Sequence, residues 1–174
     1  MLLDRKKCAC FSGYRAEKMP FPLYEGAPLY DKLVADMKKL IQRAIKAGAE
    51  TFYNGGAYGF DIVAGETILD LKKEYPHIKL ITVRPFIGQG EDYTPDWQDR
   101  YQKVIVGSDE VIVLSHQYYS GCYYARNRYM VDHSALLFCY FDGQPGGTKY
   151  TVNYAKRCGL RIVNLAEETL FPEF

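Results

Sequence analysis

Thr51-Phe52-Tyr53-Asn54-Gly55-Gly56-Ala57-Tyr58-Gly59-Phe60-Asp61-Ile62-Val63 is the stretch on which the fold turns. A short apolar and aromatic run of strand character gives way to glycines at 55, 56 and 59, and helical spacing begins at Phe60. A glycine-rich turn from strand to helix leaves backbone N–H groups free where the helix dipole favours an anion. The glycines do not fall as G-x-G-x-x-G, and no Gly-Lys-Ser/Thr follows, so the sequence carries neither the dinucleotide fingerprint nor the Walker loop.

The same alternation extends to both sides. Strands are predicted over Cys8 to Ser12, Thr51 to Asn54, Ile78 to Val83, Glu110 to Leu114, Ala135 to Phe141 and Arg161 to Leu165. Between them fall helical patterns over Leu29 to Ala47, Phe60 to Tyr75, Pro95 to Val106, Tyr123 to Val131 and Thr148 to Cys158. Gly48, Pro76 and Gly159 mark helix ends, and Thr94 is placed to cap a helix that has Pro95 at its first position. Gly13 to Pro28 shows no period. Six strands with intervening helices predict an α/β fold, a Rossmann-like open and mainly parallel β-sheet flanked by helices. At 174 residues the chain, 1–174, reads as a single domain.

Composition narrows the function classes. Apolar residues make up 48% and charged residues 25%, the values of a globular protein rather than a disordered or coiled-coil chain. With 22 basic and 21 acidic side chains the net charge is +1, so a polyanion would have to be held by a local patch. No apolar run is long enough to cross a bilayer, and charge appears at Asp4 to Lys7, too early for a signal peptide; a cytoplasmic protein with no membrane partner is expected. Five cysteines, Cys8, Cys10, Cys122, Cys139 and Cys158, then read as reduced thiols. Cys8 and Cys10 lack a partner at metal-ligand spacing and read as one face of a buried strand, so neither metal nor cofactor is expected.

In such sheets ligands bind beyond the carboxyl ends of the strands. The first strand runs into Ser12-Gly13-Tyr14-Arg15, a tight turn followed by an arginine suited to phosphate. The second runs into Gly55 to Gly59 and Asp61, the latter either a helix-start carboxylate or a ligand group. The third ends at Arg84, and the fifth runs into a second glycine-rich turn, Gly146-Gly147-Thr148. A segment rich in arginine and tyrosine, with Tyr123, Tyr124, Arg126 and Asn127, lies between; it suits phosphate and base contacts, or a packed helix with a charged face. His116 and Cys122 make a weak catalytic pairing without a third orienting residue, and Glu66 reads as helix surface. Catalytic residues are left unassigned.

Gly55-Gly56-Ala57-Tyr58-Gly59-Phe60-Asp61-Ile62 resembles the Gly-x-Ala-x-Gly-hydrophobic-Asp signature of the DNA-processing protein (Smf/DprA) family. The later half resembles the LOG phosphoribohydrolases, and these families together form the SLOG superfamily of Rossmann-like, nucleotide-related proteins. From Ser12 through Arg84-Pro85-Phe86, Gly121-Cys122, Arg126 to Asp132 and Gly146-Gly147-Thr148 to Lys156, the chain is similar to the YpsA-like branch of that superfamily.

The LOG resemblance places a conserved arginine at Arg126, eight residues before Ser134, with Met130 also matching, and a phosphate turn at Pro145-Gly146-Gly147-Thr148. It departs at Thr151, which stands where those enzymes carry a glutamate, and this argues against N-glycosidase turnover. Two alternatives stay beside the main reading: a nucleoside-monophosphate phosphoribohydrolase with Asp61, Glu66 or Asp142 as substitute carboxylate, and a single-stranded DNA binder. The expectation is a nucleotide or nucleotide-derivative binding protein, a sensor or regulatory module. Gly55, Gly56, Ala57, Tyr58, Gly59, Gly146, Gly147 and Thr148 would hold phosphate with Arg15, Arg84 and Arg126, and Tyr14 or Tyr58 would stack on a base. Tyr118 to Tyr124 and Trp97 are candidate contacts for a partner, including a second copy in a homodimer. Gly56→Val or Arg126→Ala is expected to abolish binding with the fold nearly intact.

Overall fold

The computed structural model describes residues 3–167. Six strands, β1 (Cys8–Ser12), β2 (Thr51–Asn54), β3 (Lys79–Arg84), β4 (Glu110–Val113), β5 (Leu136–Cys139) and β6 (Arg161–Asn164), alternate with five helices. These are α1 (Pro28–Lys46), α2 (Phe60–Leu71), α3 (Pro95–Gly107), α4 (Cys122–Asp132) and α5 (Gly147–Arg157). All strand pairings are parallel, in the order β4-β3-β2-β1-β5-β6.

Side-chain alternation along the strands builds two apolar layers. Ala9, Phe11, Phe52, Leu80, Leu136 and Phe138 face the layer of α1, α2 and α3. Cys8, Cys10, Tyr53, Ile81, Val83, Leu137 and Cys139 face the layer of α4 and α5, so Cys8 and Cys10 do share a buried face. Burial pushes the Cys10 thiol up to about 12. With both faces covered, β1, β2 and β5 are buried along their whole lengths, as a doubly wound parallel sheet requires.

The expected helix from Phe60 stops at Leu71 rather than Tyr75, because the chain passes into successive turns before Pro76. Thr94 does occupy the cap position of α3, but its side chain makes no capping hydrogen bond, and Pro95 fills the first turn. The unperiodic segment after β1 contains a single 3-10 turn, Ala16–Lys18, that crosses the carboxyl edge of the sheet.

The chain order sets the place for a ligand. From β1 the chain steps outward through β2 and β3 to β4, then returns to the other side of β1 as β5. Between β1 and β5 the winding reverses, and the loops that follow these strands part to leave a crevice. Phe138 anchors this junction, fully buried and stacked on Phe11 with ring centroids 5.5 Å apart. Phe138→Ala should lower the unfolding free energy by about 3–5 kcal/mol, read by urea denaturation; a loss below about 1 kcal/mol would show that the core closes around the gap.

Candidate functional site

At that crevice lies a cavity of about 340 Å³, within the range that small-molecule sites occupy. Its wall is built from Ser12 to Arg15 after β1, Gly146 to Thr148 at the start of α5, and side chains of α2 and α4. Of the residues expected from sequence, Ser12, Gly13, Tyr14, Arg15, Ala57, Asp61, Arg126, Asn127, Gly146, Gly147 and Thr148 meet here. Glu17, Lys18, Tyr123 and Tyr124 join them.

Two charged groups in the wall are buried. Arg126 is 4% exposed and Asp61 5%, and they face each other across Gly55, where an added Cβ would lie 2.8 Å from Arg126 Nη1 and 2.9 Å from Asp61 Oδ2. Arg126 Nε donates to Asn127 Oδ1 at 2.7 Å, and Nη1 donates to the Gly55 carbonyl. Burial pushes the Asp61 carboxyl up to about 6, against the pull of the Arg126 guanidinium and of the Ala57 and Gly13 backbone N–H groups. Burial also pulls the Arg126 guanidinium down, while the neighbouring Asp61 charge opposes this.

The two glycine-rich turns differ in what their amides do. In the 55–60 turn they serve the chain itself: Gly56 N–H donates to Asn54 Oδ1 at 2.6 Å and Phe60 N–H to the Tyr14 carbonyl at 3.1 Å. Asn54 Nδ2 closes the clamp on the Asp61 carbonyl at 2.6 Å, and Gln89 Nε2 donates to the Gly55 carbonyl at 2.8 Å. Gly59, at φ +121°, packs so closely on Tyr14 and Ala16 that a Cβ would lie 2.6 Å from their backbone atoms. The Gly56 and Phe60 amides are thus taken up by the chain, and the turn seats α2 against the β1 loop; of Gly55, Gly56, Ala57, Tyr58 and Gly59, Ala57 lines the cavity. At the 146–148 turn the opposite holds, since Gly147 begins α5 and a Cβ there would meet nothing within 4 Å. N–H groups at such a helix start have no preceding turn to receive them.

Arg84 and Tyr58 do not line the cavity, and Tyr14 lines it in another role than the expected one. Arg84 is on β3, separated from β1 by β2, and its guanidinium donates to the Ile87 carbonyl and, at 3.4 Å, to that of Gln89. The Tyr14 ring meets Tyr140 edge-on, and its hydroxyl donates to Asp142 Oδ1 at 2.7 Å while accepting the Asp142 and Gln144 N–H groups at 3.1 Å. Tyr14 thus holds the turn before α5 rather than offering a face to a base. Tyr58 donates to Glu17 at 2.8 Å and packs on Tyr93. The aromatic wall is supplied instead by Tyr123 and Tyr124, with the Arg15 guanidinium 5.3 Å from the Tyr58 ring and 5.2 Å from that of Tyr123.

Three further placements follow. Glu66 pairs with Arg100 at 2.6 Å, and Trp97 is buried beneath the same guanidinium, away from the cavity. Cys122 is buried in the first turn of α4 while His116 is exposed in the loop after β4. Glu17 and Lys18 were not legible as site residues, because they lie in a loop without a period and reach the cavity only through the 3-10 turn.

A model of the YspA SLOG family matches residues 9–162. The chain belongs to this family. Among similar sequences, the SPbeta prophage-derived protein YoqJ of Bacillus subtilis is 33% identical over 141 residues, covering 74% of this chain and 81% of the relative. A UPF0398 protein of Brevibacillus brevis is 27% identical over 149 residues, covering 84% and 79%. The YspA-family fold is also close to DNA processing protein A of Helicobacter pylori, solved for its single-stranded DNA binding mode, with TM-score 0.63, 20% identity and 94% of this chain covered. DNA processing protein A of Streptococcus pneumoniae gives 0.61 at 19% identity over 91% of this chain. This chain spans 66% of the first of these proteins and 50% of the second, and at such identities the likeness shows the fold alone.

The raised Asp61 carboxyl makes a prediction about the YspA-family chain. In the fold it titrates near 6, above its unfolded value of about 3.9, so its contribution to stability is full below about pH 4 and is lost as pH rises through 6. Asp61→Asn removes that loss. Its unfolding free energy relative to the unmodified chain should rise by roughly 2–3 kcal/mol between pH 4 and 7.5 in denaturant titrations. An offset that does not change with pH would show that this carboxyl does not titrate there.

Proposed function

We propose that the chain binds a nucleotide or nucleotide-derived small molecule in the β1/β5 crevice and acts as a cytoplasmic sensor or regulatory module. The observation that carries this reading is the composition of one cavity wall: the open helix start at Gly146, Gly147 and Thr148 together with the cations of Arg15, Lys18 and Arg126. Helix-start N–H groups and guanidinium forks suit a phosphate, and Tyr123 and Tyr124 supply ring faces to a base.

The hydrolase alternative is weakened by Thr151. Its hydroxyl donates to the Gly147 carbonyl at 2.9 Å within α5, and it cannot take up the charge that a ribosyl transition state needs. Asp142 holds Tyr14 and Glu66 holds Arg100, which leaves Asp61 as the carboxylate of the three within the cavity wall. The likeness to a single-stranded DNA binder supports a second reading, to which the exposed Tyr118, Tyr119 and Tyr124 lend stacking surface. The net charge of +1 and the small cavity favour the nucleotide. A second copy of the chain is compatible with either reading.

Thermal unfolding in the presence of nucleoside mono-, di- and triphosphates, dinucleotides, cyclic dinucleotides and ADP-ribose tests the proposal. A ligand at about 100 times its dissociation constant stabilises by roughly 2.7 kcal/mol. Gly147→Val, which adds a side chain to a residue of the cavity wall where a Cβ meets nothing within 4 Å, should abolish the shift and keep the unliganded melting temperature. This variant replaces Gly56→Val as the probe, since Gly56 lies outside the cavity at φ +69° against Tyr101 and Gln89. A flat panel, with salt-sensitive retention of a single-stranded oligonucleotide, would overturn the nucleotide reading.

A further inference from the structure

One atom in the wall bears on which sugar the cavity takes. Asp61 Oδ1 is buried and has no hydrogen-bonding partner among the described residues, although Asp61 lines the cavity. The other oxygen, Oδ2, lies against Gly55 and Arg126. Buried acceptors are almost always paired, and this one, sealed off beside the cavity, meets a donor from a ligand once the carboxyl turns toward the cavity.

The chemistry of that donor is constrained by the rest of the wall. Phosphate monoester oxygens are acceptors at neutral pH and repel a carboxylate, the more so where water is excluded. A phosphate therefore belongs at the other part of the wall, with the Gly147 and Thr148 backbone and Lys18, whose Nζ reaches the Pro145 carbonyl at 3.4 Å. Glu17, the second carboxylate of the wall, already accepts from Tyr58. What remains for Asp61 is a neutral donor on the body of the ligand. In a nucleotide the hydroxyls next to the phosphate are those of the sugar, they are common to every base, and a carboxylate is the acceptor suited to them.

We propose, building on the nucleotide reading, that Asp61 accepts a sugar hydroxyl, so that the site selects ribonucleoside 5′-phosphates with free 2′ and 3′ hydroxyls. It follows that 2′-deoxynucleotides bind weakly, and that a 3′-phosphate is repelled. An internal nucleotide of a DNA strand has both defects, which separates this cavity from a strand-binding groove.

Isothermal titration at pH 7.5 tests this with the four ribonucleoside 5′-monophosphates and their 2′-deoxy counterparts. The unmodified chain should bind the preferred ribonucleotide at least about tenfold tighter than its deoxy match, the scale of one hydrogen bond to a charged group. In Asp61→Asn the ratio should shrink to within about threefold, because the deoxy compound has no hydroxyl contact to lose. A comparison that needs no variant uses the matching ribonucleoside 3′,5′-bisphosphate, expected to bind at least about tenfold more weakly than the 5′-monophosphate. Equal binding of ribo and deoxy compounds, a ratio unchanged in folded Asp61→Asn, or tight binding of the bisphosphate would each overturn the assignment to Asp61 and leave the nucleotide reading standing. If neither sugar series binds, both fall together.

Discussion

A carboxylate and a guanidinium buried on either side of a glycine with no room for a side chain fix the geometry around which the sheet edge is organised. Asp61 comes from the first turn of α2 and Arg126 from the middle of α4, helices on opposite faces of the sheet. Their meeting at Gly55 ties the two layers together at the carboxyl end of β2. Arg126 donates to the Gly55 carbonyl and to Asn127 Oδ1, and deleting this buried side chain leaves both acceptors unpaired. Arg126 is therefore a structural residue as well as a candidate ligand group, and Arg126→Ala confounds folding with binding.

The order of strands and helices was legible because both periods are strong in this sequence. The parallel, doubly covered sheet follows from short apolar runs alternating with amphipathic stretches, and β1, β2 and β5, buried along their lengths, carry no charged residue. The candidate site was half legible. Glycine-rich turns announce places where backbone approaches closely, but the residues do not say whether the visitor is a ligand or another part of the chain. At Gly59 the visitor is the backbone of Tyr14 to Ala16, and at Gly55 it is a pair of side chains from α2 and α4; at Gly147 the space is open. Arg84 misled for a related reason. Every strand end resembles every other in sequence, and the strand order that places β2 between β3 and the crevice is a tertiary fact.

The Tyr-rich composition also resolves by position. Tyr14 pins the turn that precedes α5, Tyr93 and Tyr101 pack beneath the Gly56 turn, and Tyr123 and Tyr124 face the cavity. The membership of the YspA SLOG family and the fold shared with DNA processing protein A agree with this architecture. Among the described residues no helix is long and apolar enough to cross a membrane.

The most direct measurement of the central claim is a backbone amide NMR titration of the full chain with a ribonucleoside 5′-monophosphate. The account predicts saturable shifts concentrated at Gly13, Asp61, Asn127, Gly147 and Thr148, the residues around the β1/β5 crevice. Saturable shifts confined to residues of α3, or none at any amide at millimolar ligand, would contradict it.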